Sequence, residues 1–182
     1  MSTAIMGFKP IIASIDSPID MLGACHEKVR KQCSTLRAMS RHLAAHGSDA
    51  QAQAAAGAVM RYFDEAAQHH HADEEIDLLP RLLESAPLSE RQRIHGISAL
   101  IVQEHEKLGS LWQELRTHLI EIRAGHLVPV EPLQTCVDSF TKAYESHTEF
   151  EDSQLIPLAK KFLDQSALQS VSSHMKARRG LV

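Results

Sequence analysis

The sequence is poor in the residues that interrupt helices. It has 8 glycines and 7 prolines among 182 residues, and 4% of its residues are aromatic. Alanine, leucine, glutamine and glutamate are abundant, so the composition favours helices over sheets. The length indicates one domain with room for a buried core, and the 43% hydrophobic content is that of an ordinary globular protein.

Several further absences argue against secretion and against membrane or nucleic-acid partners. The three cysteines, Cys25, Cys33 and Cys136, form no Cys-x-x-Cys motif, and their odd number argues against a disulfide framework. No apolar run approaches the roughly 18 residues that span a bilayer. The N-terminus lacks the basic region and apolar stretch of a signal peptide. The net charge of −4 is too small to indicate a membrane or nucleic-acid partner. We therefore expect a protein of the reducing cytoplasm.

Apolar residues recur at spacings of three, four and seven along most of the chain, which predicts amphipathic helices. The predicted helices cover residues 18–46, 48–79, 89–125 and 131–157, with a short helical continuation to about residue 163. Residues 1–17 are expected to be an N-terminal lead-in, 18–163 the helical domain and 164–182 a C-terminal tail. Four long helices joined by short loops predict an all-α fold, a single antiparallel up-down-up-down four-helix bundle.

Local signals suggest where the helices begin and end. Ser48 is a suitable N-cap, and Ser89 with Gln92 three residues later resembles a capping box. Pro80 is expected to kink or end the second helix. The basic residues near the C-terminus are expected to form a frayed, solvated end: Lys176, Arg178 and Arg179.

Histidines and glutamates take the place of apolar residues on the inner faces of the predicted helices. His26 in the first helix and His105 in the third do so singly, and the second and fourth helices each carry a His-x-x-x-Glu pair. Residues four apart lie one turn above each other on the same helix face, so an imidazole and a carboxylate can meet at one point. The pairs are His70 with Glu74 and His147 with Glu151.

The two halves of the chain repeat this arrangement. The tripeptide His-Glu-Lys occurs at residues 26–28 and again at 105–107, and Leu-Leu-Pro at 78–80 corresponds to Leu-Ile-Pro at 155–157. The repeat indicates two helical hairpins related by a pseudo-twofold axis. Folding one hairpin onto the other would bring four histidines and two glutamates to a shared centre.

Burial of these six side chains requires a partner for each. An unpartnered buried polar group costs on the order of 2–7 kcal/mol, and an unpaired carboxylate costs more. A domain of marginal stability cannot hold six of them unless something satisfies them. Two cations would do so, with the glutamates bridging them, two histidines on each side and open positions for a small ligand.

The donor types narrow the choice of metal. Imidazole and carboxylate without thiolate suit iron or manganese, and zinc stays open. Iron is preferred because carboxylate-bridged metal pairs in helix bundles are commonly redox centres.

The ordered set of motifs resembles the hemerythrin-like, or HHE cation-binding, family over about residues 18–163. The residues that carry the resemblance are His26, His70, Glu74, His105, His147 and Glu151, with the proline-ending tripeptides that follow the glutamates. The resemblance implies that these six residues bind two iron ions (or manganese or zinc) with an oxo or hydroxo bridge. It also implies a protein that binds or reacts with dioxygen, nitric oxide or peroxide in stress response or iron homeostasis.

The chain departs from the oxygen carriers of that family, which have His-x-x-x-His on the third helix and an aspartate on the fourth. Here Gly109 lies four residues after His105, and the fourth helix carries Glu151. The four-histidine, two-glutamate set is similar to di-iron proteins that repair iron clusters under nitrosative stress. The sequence leaves carrier, sensor, store and enzyme open, as well as the oligomeric state. The alternatives are a structural zinc site in a helical protein-interaction module without redox activity, and a metal-free polar network.

Residues beside the six have weaker assignments. His69 and His71 are expected to face solvent or helix boundaries. If the register is off by one, either of them replaces His70, and Glu75 replaces Glu74. For the acids next to expected ligands, solvated surface charge is favoured over a hydrogen bond to the ligand: Glu27, Glu106 and Asp152. Core packing is favoured for Cys33, Trp112, Cys136 and Tyr144, and the role of Cys25 stays open.

Overall fold

The computed structural model describes residues 17–181, and every regular element in that range is helical. The all-α prediction is therefore confirmed. The helices, in chain order, are α1 (Pro18–His46), α2 (residues 50–85), α3 (Leu88–Arg123), α4 (residues 130–162) and α5 (Gln165–Arg178). The lead-in expected for residues 1–16 lies outside the described range, and the division into lead-in, helical domain and tail stays a prediction.

Helices α2 and α4 contain wide π-helical turns. Helix α2 consists of the α-helical pieces Ala50–Arg61, Ala67–Ala72 and Leu79–Ser85, which are joined by the π turns Tyr62–Ala66 and Asp73–Leu78. Helix α4 consists of Val130–Phe150 and Ile156–Phe162, which are joined by the π turn Glu151–Leu155. A π turn fits an extra residue into a helix and occurs frequently at functional sites.

The prolines that follow two of these π turns do not end their helices. The sequence predicts an end near Leu79, but α2 continues to Ser85. Pro80 lies in the first turn of the α-helical piece after the π turn, and Pro157 has the same position in α4. Proline is tolerated in a first turn because its missing N–H has no helical partner there. The wide turn before each proline therefore lets the helix pass through it.

Two of the predicted helix starts differ in their caps. Asp49, and not Ser48, is the N-cap of α2, and its side chain accepts a hydrogen bond from the Ala52 backbone N–H at 2.9 Å. Helix α3 begins at Leu88 after Pro87, with no side-chain cap, so the predicted Ser89 capping box does not form. The N-cap shifts by one residue in α2 and by two residues in α3, which is the usual uncertainty of helix ends.

The long helices pack against one another in a closed ring. Within residues 17–181, α1 contacts α2 and α4, and α3 contacts the same two helices. Helix α5 packs against α1 and against the π turn Asp73–Leu78. The antiparallel up-down-up-down order of the bundle stays a prediction. In the described part of the chain, no helix combines the length and apolar character needed to cross a membrane.

Two apolar clusters fill the described part of the molecule, and the inner histidines lie between them. One cluster contains Phe63, Trp112, Phe140 and Tyr144, and the other contains Leu22, Leu78, Ile101 and Leu155. Along α1, His26 separates Leu22 of the second cluster from Val29 of the first. His105 separates Ile101 from Leu108 in the same way along α3. The polar residues therefore form a layer across the bundle, and Trp112, Tyr144, Cys33 and Cys136 belong to the first cluster as predicted.

The C-terminal segment differs from its predicted state. Residues 165–178 of the expected C-terminal tail form helix α5, whose N-cap Asp164 accepts a hydrogen bond from the Ala167 backbone N–H at 2.8 Å. Arg178 and Arg179 are not solvated, because both form ion pairs with the buried Asp73. The prediction of a frayed basic end is wrong because the acids that pair with it lie on another helix.

Candidate metal centre

The six residues predicted from the sequence as ligands lie together in the polar layer between the apolar clusters. They come from α1, α2, α3 and α4, and each is between 0 and 6% exposed: His26, His70, Glu74, His105, His147 and Glu151. Two of them begin or occupy π turns, since Glu151 opens the turn Glu151–Leu155 and Glu74 lies in Asp73–Leu78. The histidine of each His-x-x-x-Glu pair precedes that turn, so helix widening sets the direction of the carboxylate relative to its imidazole.

The donor atoms form two overlapping groups of four. The first subsite comprises His26, His70, Glu74 and Glu151, and the second comprises His105, His147 and the same two glutamates. Within each group, one donor atom per residue lies within 4.8 Å of the others. Each subsite therefore has two imidazoles of its own and shares both carboxylates.

Each glutamate directs one oxygen to each subsite. Glu151 Oε2 lies 3.1 Å from His26 Nε2, and Glu151 Oε1 lies 3.2 Å from His147 Nε2. Glu74 Oε1 lies 3.7 Å from His70 Nε2, and Glu74 Oε2 lies 3.4 Å from His105 Nε2. This is the arrangement that a carboxylate bridging two cations requires.

Seven buried side-chain atoms of this layer lack hydrogen-bond partners, whereas His105 Nε2 and His147 Nε2 lie 3.1 Å from each other. Among the described residues, the unpartnered buried side-chain atoms are His26 Nε2, both ring nitrogens of His70, and all four carboxylate oxygens of Glu74 and Glu151. Leaving a buried polar group unsatisfied costs about 1–3 kcal/mol, and more when it is charged. All of these atoms belong to the two subsites, so the residues present fit a pair of cations.

Carboxylates outside the centre hold three of the four histidine rings. His26 Nδ1 lies 2.7 Å from Asp152 Oδ1, and His105 Nδ1 lies 2.6 Å from Glu75 Oε1. His147 Nδ1 lies 2.9 Å from Glu104 Oε2. A carboxylate that accepts from Nδ1 keeps the proton on that nitrogen, so Nε2 presents its lone pair to the centre.

Sequence reasoning found these outer partners only in part. Surface charge was favoured for Asp152, and that prediction is wrong, because Asp152 lies between His26 and Arg30 Nη2, 2.5 Å from the latter. Glu27 and Glu106 are exposed as predicted. Glu104 was missed. No local pattern identifies it, because its partner His147 lies on another helix.

His71 is also part of the centre, contrary to the prediction that it faces solvent or a helix boundary. It is 9% exposed, and its ring stacks on His105 with centroids 3.8 Å apart and planes 10° apart. One of its nitrogens lies within 4.8 Å of donor atoms of His105 and His147. Its Nε2 is 3.5 Å from the hydroxyl of Tyr144. The α-helical piece between two π turns therefore turns both His70 and His71 inwards.

Burial and mutual interaction shift the pKa values of the centre in opposite directions. Burial lowers the pKa of His70 to about 3, and burial with the nearby charge of Glu151 raises the pKa of Glu74 to about 8. Burial opposes protonation of His26 and His105, but the Glu151 carboxylate close to both rings outweighs it. The pKa of His26 is raised to about 9 and that of His105 to about 10. Cations that bind the same Nε2 atoms would displace these protons.

A ring of helices with a buried layer of imidazole and carboxylate donors defines a class of helical cation-binding proteins. The sequence profile described as the hemerythrin HHE cation binding domain matches residues 17–159, and the chain belongs to that family. The chain is also similar to an uncharacterized protein of Haemophilus influenzae, with 30% identity over 167 residues, which is 92% of each chain. The six donor residues lie inside the family match, and α5 lies beyond it.

Proposed function

We propose that this protein is a non-haem di-iron protein of the cytoplasm that binds or reacts with dioxygen, nitric oxide or peroxide, in stress response or iron homeostasis. The bundle would be antiparallel, and the ligands would be His26, His70, Glu74, His105, His147 and Glu151. The observation that supports this most is that every unpartnered buried side-chain atom of the described residues belongs to a residue of two subsites that share two carboxylates.

The chain's own residues have separable tasks in this proposal. The glutamates would hold both ions, and the histidines would complete the donor set of each subsite. Asp152, Glu75 and Glu104 orient their imidazoles and raise the basicity of Nε2. The apolar clusters on both sides of the layer keep bulk water out. When bound, an iron pair supplies redox chemistry and open positions for a small ligand.

The donor set favours iron or manganese without deciding between them. Among the described residues, no cysteine belongs to the donor groups, so the set consists of imidazoles and carboxylates. Imidazole with carboxylate suits iron, manganese and zinc, and a carboxylate-bridged pair favours a redox metal.

Metal content and the ultraviolet-visible spectrum of protein purified from iron-fed cells test the proposal. We expect about two irons per chain and near-ultraviolet bands of a bridged ferric pair that change on reduction and on exposure to oxygen or nitric oxide. A Glu74→Gln/Glu151→Gln variant is the matched control and should contain no iron. Protein that contains zinc alone, or a featureless spectrum after iron loading, contradicts the redox function.

A structural metal site is the second candidate. The donors come from four helices that pack in a ring, so bound zinc would join all of them. In that case, chelation would unfold the protein, and neither colour nor redox activity would accompany metal binding. The same purified protein distinguishes the two candidates.

A further inference from the structure

The π turn that carries Glu74 concentrates negative charge in the interior. Four of its first five residues are acids: Asp73, Glu74, Glu75 and Asp77. Asp73 is 1% exposed and Asp77 is 4% exposed. Neighbouring buried carboxylates repel one another, and each requires a partner. Glu74 faces the centre and Glu75 holds His105, so the two aspartates need partners from elsewhere.

Helix α5 supplies those partners. Arg178 reaches both aspartates, with Nη1 bound to Asp73 and Nη2 2.8 Å from Asp77 Oδ2. Arg179 holds Asp73 through two contacts, Nη2 to Oδ2 at 2.6 Å and Nη1 to Oδ1 at 3.1 Å. His174 Nδ1 lies 2.6 Å from Asp77 Oδ1. Paired contacts of this kind fix orientation as well as charge. We call His174, Arg178 and Arg179 the C-terminal clamp.

The corresponding turn in α4 is held differently. In the π turn Glu151–Leu155, Asp152 contacts Arg30 and His26, which both belong to α1. The partners of that turn therefore lie inside the range that matches the family, whereas the clamp lies after residue 159. Helix α5 and the residue after it thus add ion pairs to the π turn that carries one of the two shared glutamates, Glu74.

We infer that Arg178 and Arg179 are positioning residues of the metal centre, which fix the turn Asp73–Leu78 so that the Glu74 carboxylate is presented to both subsites. This inference rests on the proposed metal-binding function. The role of α5 is then retention of bound metal, because loss of Glu74 from its place removes a shared ligand from both ions at once.

The geometry of the π turn explains why it needs external support. Each residue of an α-helix advances by about 100° around the helix axis. Rewinding the π turn into an α turn would therefore rotate Glu74 relative to the residues that follow it, and its carboxylate would turn away from the centre. Removing the guanidinium groups leaves two buried aspartates beside Glu74 with fewer partners. Repulsion among these acids then favours opening or rewinding of the turn.

The rate of metal release to an excess of chelator tests the inference. An Arg178→Gln/Arg179→Gln variant should release both ions at least about tenfold faster than the parent protein. Tenfold is about the lower end of the loss in metal affinity that follows removal of an outer partner. It should also change the visible spectrum of the cobalt-substituted protein, because a ligand moves. The single variant Arg179→Gln should show a smaller increase in release rate and a smaller spectral change than the double variant. Arg179→Lys should lie closer to the parent protein in both measurements than Arg179→Gln does. These single variants also serve if the double variant does not fold.

A matched control separates positioning from general stability. Met175→Ala removes a buried apolar side chain from the same helix without touching an acid. It should lower thermal stability while leaving the cobalt spectrum unchanged. The inference is overturned if the arginine variants release metal at the parental rate with the parental spectrum, or if Met175→Ala at equal stability reproduces their effect.

Hydrogen exchange of the metal-free protein distinguishes failure of this inference from failure of the proposed function. Backbone amides of residues 73–78 should exchange faster in the arginine variants than in the parent and in Met175→Ala. If the parent binds no metal, the proposed function fails while faster exchange still supports the clamp. Unchanged exchange of these amides overturns the clamp whether or not metal binds.

Discussion

The two histidine pairs of the centre share the same glutamates but differ in what holds their rings. In the second subsite, Glu75 and Glu104 accept from the Nδ1 atoms of both histidines, and His71 stacks on His105. In the first subsite, Asp152 holds His26, whereas His70 Nδ1 is unpartnered among the described residues. The internal repeat therefore reproduces the donors and not their surroundings.

This difference indicates unequal metal affinities. Outer carboxylates orient an imidazole, fix its tautomer and raise its basicity. Because both rings of the second subsite have such a partner and only one ring of the first does, the second subsite should bind its ion more tightly. Four experiments test the two subsites and this inequality, from the largest expected effect to the smallest.

Glu151→Gln should have the largest effect, with loss of both ions. Glu151 directs one oxygen to each subsite, so its neutral amide removes a charge and a ligand from both. The measurement is metal content by mass spectrometry after iron loading. Glu149→Gln is the control, since Glu149 is exposed on the same helix and should leave metal content unchanged. Retention of both ions by Glu151→Gln would show that the glutamates are not shared ligands.

Single histidine variants should separate the two subsites. His26→Ala removes a ligand of the first subsite and should leave one ion in the better-supported second subsite. His105→Ala removes a ligand of the second subsite and should retain less metal than His26→Ala, since its remaining subsite has fewer held rings. Metal content against increasing chelator concentration measures this order. The opposite order would overturn the inequality between subsites.

The helices and the six donor residues can be predicted from the sequence, because burial of one helix face places its apolar residues three and four positions apart. His26 and His105 stand out as polar residues within that spacing. The outer partners do not follow from it. Glu104 supports a histidine 43 positions away, and Arg178 pairs with Asp73 105 positions away.

The errors about His71 and about the end of the second helix near Leu79 have the same physical origin. A prediction that assumes 100° per residue places His71 beside the inner face, whereas the π turns on both sides alter the register locally. The sequence offers Pro80 and Pro157 as indirect signals of these turns, since a helix that continues through a proline needs a widened turn before it.

Glu104→Gln should weaken binding of the ion in the second subsite and leave the ion in the first subsite bound. Loss of an outer carboxylate typically costs about 10–100-fold in metal affinity, and the hydrogen bond that Glu104 forms within residues 17–181 goes to His147 of the second subsite. Glu106→Gln is the matched control, because Glu106 is exposed two residues away on the same helix. Competition with a chelator of known affinity gives both constants. An equal loss of affinity for both ions would mean that the two subsites are too strongly coupled for their affinities to be compared.

His71→Phe should have the smallest effect on metal binding. Phenylalanine can keep the stack on His105 and fill the buried volume, but it removes the ring nitrogen that lies 3.5 Å from the Tyr144 hydroxyl. If His71 only borders the second subsite, metal content stays at the parental level.

The effect should then appear in small-ligand binding. Azide affinity of the iron-loaded protein, measured by absorption, should fall by up to about tenfold in His71→Phe. That is the effect expected when one hydrogen bond from the His71 imidazole to the ligand, of about 0.5–1.5 kcal/mol, is lost. Tyr144→Phe should lower it less, because that change leaves the imidazole in place. Loss of one ion from His71→Phe would instead identify His71 as a direct ligand. The second subsite would then have three histidines and the first subsite two.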